Sequence, residues 1–253
     1  MPERPPGEAA ADPTPSFAVS HDATPAETLL VGVSSPGLAG LTAVDYLVEN
    51  REMTQTGHVG VDQFPAITPF ADGTPRHHTR LFSGGGLDMT VLVGELFVPT
   101  LAAGPFSDAI FDWIADNDVS EIVVLSGVPV PHGPEQHRAF YVATEDYQAR
   151  RLEDVEVAPM GMGFLDGVNA ELVARGVDSP LSVCVLLTPV HAATPDVEAA
   201  LRLLDAVERI YGVEVDEAPL EAFAAEVQQH YRDLAERIDA ERERETPRDR
   251  MFM

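Results

Sequence analysis

Short, wholly apolar runs alternate with amphipathic stretches along this chain, which is the pattern of an α/β fold. Thr28-Leu29-Leu30-Val31-Gly32-Val33 predicts a buried strand, broken by Ser34-Ser35-Pro36-Gly37. Residues 38–49 predict a helix with Leu41, Val44, Leu47 and Val48 as its apolar stripe. Runs at 56–61, 78–82 and 89–97 read as strands separated by the turns Asp72-Gly73 and Ser83-Gly84-Gly85-Gly86, so two close hairpins and antiparallel pairing are expected there. A helix is expected to start at Gly104-Pro105-Phe106-Ser107, and a buried strand at 121–125. A strand at 138–142, a helix at 165–175 stopped by Gly176, and a buried strand at 181–187 follow.

From Thr194 onward the pattern turns helical. Thr194 reads as an N-cap with Pro195 at the first helical position, opening a helix over 197–211. A second helix is expected from about 217 to 245, where Leu220, Phe223, Val227, Tyr231, Leu234 and Ile238 form a near-heptad seam for the sheet or a partner helix. At about 1.5 Å per residue it would approach roughly 43 Å, longer than a compact domain needs, which argues against a monomer. Thr246-Pro247 ends it. The organisation expected is therefore a disordered arm at 1–27 with six prolines, an α/β core at 28–215 built on a mixed sheet flanked by helices, a long C-terminal helix at 216–245, and a flexible tail at 246–253.

Composition changes this picture in one respect. Among 253 residues, 42 are acidic and 16 basic, for a formal charge of -26, and every basic residue is Arg. Such a balance disfavours phosphate backbones and anionic membranes, so neither nucleic acid nor membrane is expected as a partner. A carboxylate-rich surface without Lys suits molar salt, where screening shortens to roughly 3 Å, and points to a halophile. The single cysteine, Cys184, lies in an apolar run and has no internal disulfide partner. With no signal-like segment and no membrane-length apolar run, a cytoplasmic protein is expected.

Candidate chemistry is sparse. Ser34, Ser35, Gly37 and Gly40 lie in a turn between strand and helix, where α/β folds bind ligands. The turn matches neither a P-loop nor GxGxxG, and its glycines also suit tight strand–helix packing. Ser126-Gly127 follows a strand as a nucleophile does, but without GxSxG flanks. His77 and His78, adjacent in a strand, face opposite ways, and His132 and His137 lack zinc spacing, so no metal and no cofactor are expected. If the 34–40 turn and the 126–132 loop converge on a polar pocket, a small-molecule-binding protein or an enzyme is the alternative to a binding protein.

Met251-Phe252-Met253 ends the sequence with apolar side chains after a charged, Pro-marked stretch. Such a segment either rests on the protein's own surface or docks in a partner's pocket with its carboxylate on a cation or amide nest. Residues 246–253 extended would reach roughly 27 Å.

Several segments, taken in order, resemble the proteasome assembly chaperone family in its archaeal and bacterial branch. They are Ser35-Pro36-Gly37-Leu38-Ala39-Gly40 with Tyr46-Leu47, Leu125-Ser126-Gly127, the stretch from Gly161 to Asn169, and Asp196-Val197-Glu198-Ala199-Ala200. The resemblance covers about residues 27–240. It implies a phosphorylase/hydrolase-like α/β sandwich and no catalytic activity established for the family as a class. It also implies that Met251, Phe252 and Met253 look like the hydrophobic–tyrosine–any motif that inserts between α subunits of the 20S proteasome. Phe in place of Tyr removes a hydroxyl and one hydrogen bond, worth on the order of 1 kcal/mol. The function expected is a non-enzymatic, self-associating chaperone or adaptor on the 20S α ring.

Overall fold

The computed structural model describes residues 14–215 apart from 66, 132 and 193, together with Tyr231, Leu234, 236–238 and 240. The first two strands are β1 (Ser16–His21) and β2 (Thr28–Val33), and α1 (Ala39–Asn50) follows a tight turn at Pro36–Leu38. Next come β3 (Thr54–Asp62), a two-residue hairpin of β4 (Phe70–Ala71) and β5 (Thr74–Pro75), β6 (Thr79–Ser83), β7 (Thr90–Gly94) and α2 (Thr100–Asp116). Then follow β8 (Glu121–Val128), β9 (Phe140–Ala143) and the short α3 (Glu145–Tyr147), which continues as a π-helical turn. The described core ends with β10 (Ala158–Pro159), α4 (Gly167–Val177), β11 (Ser182–Pro189) and α5 (Val197–Tyr211).

Nine strands form one mixed sheet in the order β1-β3-β6-β7-β2-β8-β11-β9-β10. At its centre β7, β2, β8 and β11 are parallel. β6 pairs antiparallel with β3 and β7, as the two hairpins predict. Central strands covered on both faces carry continuous apolar runs because neither side meets water. In β2, β8 and β11 the alternate residues Leu30, Val123, Leu125, Cys184 and Leu186 pack with α1 and α5, whereas Leu29, Val31, Ile122, Val124, Val183 and Val185 pack with α2 and α4.

Four local expectations are corrected. The expected disordered arm contains strand β1, whose Phe17 and Val19 pack on the sheet's second core while Phe17 meets Phe106 edge-on at 5.4 Å; residues 1–13 lie outside the described residues. Helix α2 begins at Thr100, and Pro105 sits inside it. Gly176 lies within α4 and serves close packing on β11, where a Cβ would stand 2.6 Å from Val183 Cγ2. The cap of α5 is Asp196, whose carboxylate accepts from the Ala199 amide at 3.0 Å. Of the expected C-terminal helix, the described residues are helical, and Tyr231, Leu234 and Ile238 bury in the core beside α1 and α5. The rest of 216–245 and the tail lie outside the described residues.

Buried carboxylates are matched with arginine. Glu95 takes Arg76 at 2.9 Å and Arg80 at 3.1 Å, and Glu121 takes Arg151 at 3.0 Å. Tyr231 donates to Asp45 at 2.7 Å and so fastens the C-terminal segment to α1, and burial pushes the Asp45 carboxyl up.

The seam that positions α1 is made of glycine. A Cβ on Gly32 would lie 2.4 Å from the Gly40 carbonyl oxygen, and one on Gly40 would lie 1.8 Å from the Leu125 carbonyl oxygen. Backbone sits against backbone there, so nothing flexible yields. Gly40→Ala is therefore expected to cost about 3 kcal/mol in urea unfolding.

Candidate functional site

After β2 the chain passes through α1 and the antiparallel strands β3 and β6 to reach β7 on one side of β2, then through α2 to β8 on the other side. The strand order reverses between β2 and β8, and open α/β sheets bind ligands in the crevice beyond the strand ends at such a point. A cavity of about 280 Å³ lies there. Val33, Ser34 and Ser35 line it from the end of β2, and Ser126, Gly127 and Val128 from the end of β8. The 34–40 turn and the loop after Ser126 thus converge, with Pro129 also in the lining and His132 outside the described residues.

The candidate residues of the turn divide in two. Ser34 and Ser35 reach the cavity, whereas Gly37 and Gly40 serve packing. Gly37 has φ +70, and a Cβ there would meet Val190 Cβ at 2.8 Å. Ser34 Oγ donates within reach of the Gly94 and Glu95 carbonyls at 3.2 and 2.9 Å, tying the end of β2 to that of β7. Ser35 Oγ is buried with no hydrogen-bond partner among the described residues.

Ser126 is 3% exposed, and its Oγ accepts from Asn169 Nδ2 at 3.0 Å. Among the described lining residues there is no His, so Ser126 has no imidazole base beside it, as a hydrolytic nucleophile requires. Two helix starts contribute as well: Thr100 of α2, and Asp166, Gly167 and Asn169 at the start of α4. In the sequence, Gly161 to Asn169 carries the family resemblance and the start of the helix expected at 165–175, without marking a site residue. The available signal was a Gly-rich loop ending in Asp-Gly before a helix, the usual form of a helix start.

The histidines form no such site. His58 and His77 stack at 3.7 Å, and burial followed by the charge of His77 lowers the His58 pKa. Among the described residues no group of three or more His, Cys, Asp or Glu side chains is arranged to hold a metal. Met251, Phe252 and Met253 lie outside the described residues.

With this geometry in place, residues 29–235 match the model of the PAC2 family. The chain belongs to the PAC2 family. This PAC2 chain also shares its fold with solved structures. One is Pyrococcus furiosus PbaA, an archaeal homolog of proteasome-assembly chaperone, at TM-score 0.78 and 18% identity, covering 90% of this chain and 99% of that one. Another is P. furiosus PbaB, an archaeal proteasome activator, at TM-score 0.67 and 18% identity over 87% and 98%. A Mycobacterium tuberculosis proteasome-assembly chaperone homologue follows at TM-score 0.56 and 17% identity over 88% and 96%. No curated protein matches the PAC2 chain significantly. Among the described residues no helix is long and apolar enough to cross a membrane.

The turn beside the site is braced by the start of α5. The Asp196 amide donates to the Gly37 carbonyl at 2.8 Å, and its carboxylate takes the His191 amide at 2.9 Å and the Ala199 amide at 3.0 Å. Burial pushes this carboxyl up, but the bonds from His191 and Ala199 outweigh it and hold the pKa below the ordinary value. A depressed folded-state pKa contributes stability that is present above the unfolded value near 4 and is lost as pH falls through the folded value. Asp196→Asn is expected to lose about 1 kcal/mol at pH 7, and the gap to the parent chain should narrow as pH drops below about 4, read by urea unfolding across pH.

Proposed function

We propose that this PAC2 chain is a non-enzymatic proteasome assembly chaperone or adaptor that self-associates and docks on the 20S proteasome α ring through Met251-Phe252-Met253. The observation that carries the reading is the family match over residues 29–235. The fold shared with a homolog of proteasome-assembly chaperone and with a proteasome activator supports it. In this reading Met251 is the apolar anchor, Phe252 the ring and Met253 the carrier of the carboxylate, following the mode in which a C-terminus enters a nest of amides. Several tails on one oligomer raise the effective concentration of the later contacts, so each tail can bind weakly. Arg248 and Arg250 make the approach to the tail less acidic than the body.

The test is a pull-down of 20S core by the full chain in molar KCl, the solvent its charge balance suits. Retention of the core is expected, with at least a tenfold loss when Met251 to Met253 are deleted. Retention unchanged by the deletion would refute the tail assignment, and no retention by the full chain would refute the partner.

A second reading is favoured by a specific observation, the convergence of the 34–40 turn and the Ser126 loop on one cavity. It adds a ligand to the docking protein and does not replace it.

A further inference from the structure

We propose that the cavity between the ends of β2 and β8 binds a small monocarboxylate with an apolar body, independently of any proteasome contact. The first argument is the balance of donors and acceptors. Ser126 is only 3% exposed, and while its Oγ accepts from Asn169, its own proton has no acceptor among the described residues. Ser35 Oγ is buried and unpartnered in the same lining. First-turn amides of a helix lack intrahelical carbonyls. In α2 the N-cap is Pro99, which has no capping side chain, and in α4 Asp166 makes no side-chain cap bond. An excess of donors calls for a group that only accepts, and a carboxylate is such a group.

The second argument is charge. Among the described residues no Arg or His lines the cavity, and its one carboxylate, Asp166, is exposed. Helix N-termini and hydroxyls favour negative charge, and with no guanidinium or imidazole in the described lining a single charge fits better than a dianion. The third is shape. Val33, Phe97, Val98, Leu165 and Leu187 form apolar wall, and the volume of about 280 Å³ lies at the low end of small-molecule pockets, which admits a short branched or aromatic body. Hydrogen bonds to a buried carboxylate also survive molar salt better than an exposed ion pair, since salt screens buried interactions least.

The test titrates the full chain in molar KCl with isovalerate, phenylacetate, acetate, isovaleramide and inorganic phosphate, read by saturation-transfer NMR and thermal shift. Isovalerate or phenylacetate is expected to saturate, at least tenfold more tightly than acetate, isovaleramide or phosphate. Asn169→Asp places a second acceptor and a negative charge beside Ser126, and is expected to weaken the carboxylates at least tenfold while leaving isovaleramide unchanged. Ser126→Ala removes the donated proton and should weaken them similarly, with far-UV circular dichroism reporting the fold of both variants. Absence of saturable binding by both larger carboxylates, equal binding of isovaleramide, or indifference of a folded Asn169→Asp chain would each overturn the proposal. A preference for phosphate would overturn it too.

Discussion

The contact on which the rest of the molecule depends is the one between α1 and the strands β2 and β8, where Gly32, Gly40 and the Leu125 carbonyl meet without side chains between them. Only backbone at that distance lets the helix lie close to the sheet. Close approach in turn fixes the Pro36–Leu38 turn against the end of β8, where a Cβ on Gly127 would stand 2.8 Å from the Pro36 carbonyl oxygen. The mouths of β2 and β8 are thereby held side by side, and the serines at their ends share one cavity. A larger residue in this seam would push α1 outward and disturb the turn that Asp196 braces through Gly37.

Much of this was legible in the sequence, for physical reasons that can be named. β2, β8 and β11 are buried on both faces, so they appear as unbroken apolar runs, and α5 shows a clear apolar stripe. β1 was hidden because it is an edge strand covered on one face only, its Phe17 and Val19 lying between prolines that read as disorder. Pro105 misled the start of α2, since local propensity at Gly104-Pro105 was overridden by packing of Ala102, Ala103 and Phe106. Of the site, the two serine-bearing loops were readable because strand ends preceding helices are where α/β sheets bind. The contribution of Asn169 was not, since it reaches Ser126 across 43 positions of sequence and only the fold brings them together.

Charge acts at two levels in this chain. The net charge of -26 disfavours polyanionic partners and says little about which protein is met. Inside, the few arginines are spent on the buried acids Glu95 and Glu121, which link β6 to β7 and the π-helical turn to β8. None of the described lining of the cavity draws on them, so the proposed ligand would be held by hydrogen bonding and shape. The chain belongs to the PAC2 family and has a cavity at the switch point of its sheet, so the proposed docking and the proposed ligand are compatible within one fold.

The most direct measurement of the central claim, that this PAC2 chain meets the proteasome through its last residues, is site-specific photocrosslinking in molar KCl. A benzoylphenylalanine at position 252 is predicted to crosslink to 20S α subunits, while the same probe at the exposed Leu101 gives none. Crosslinks to α subunits from position 101 and not from 252, or from neither, would contradict the account.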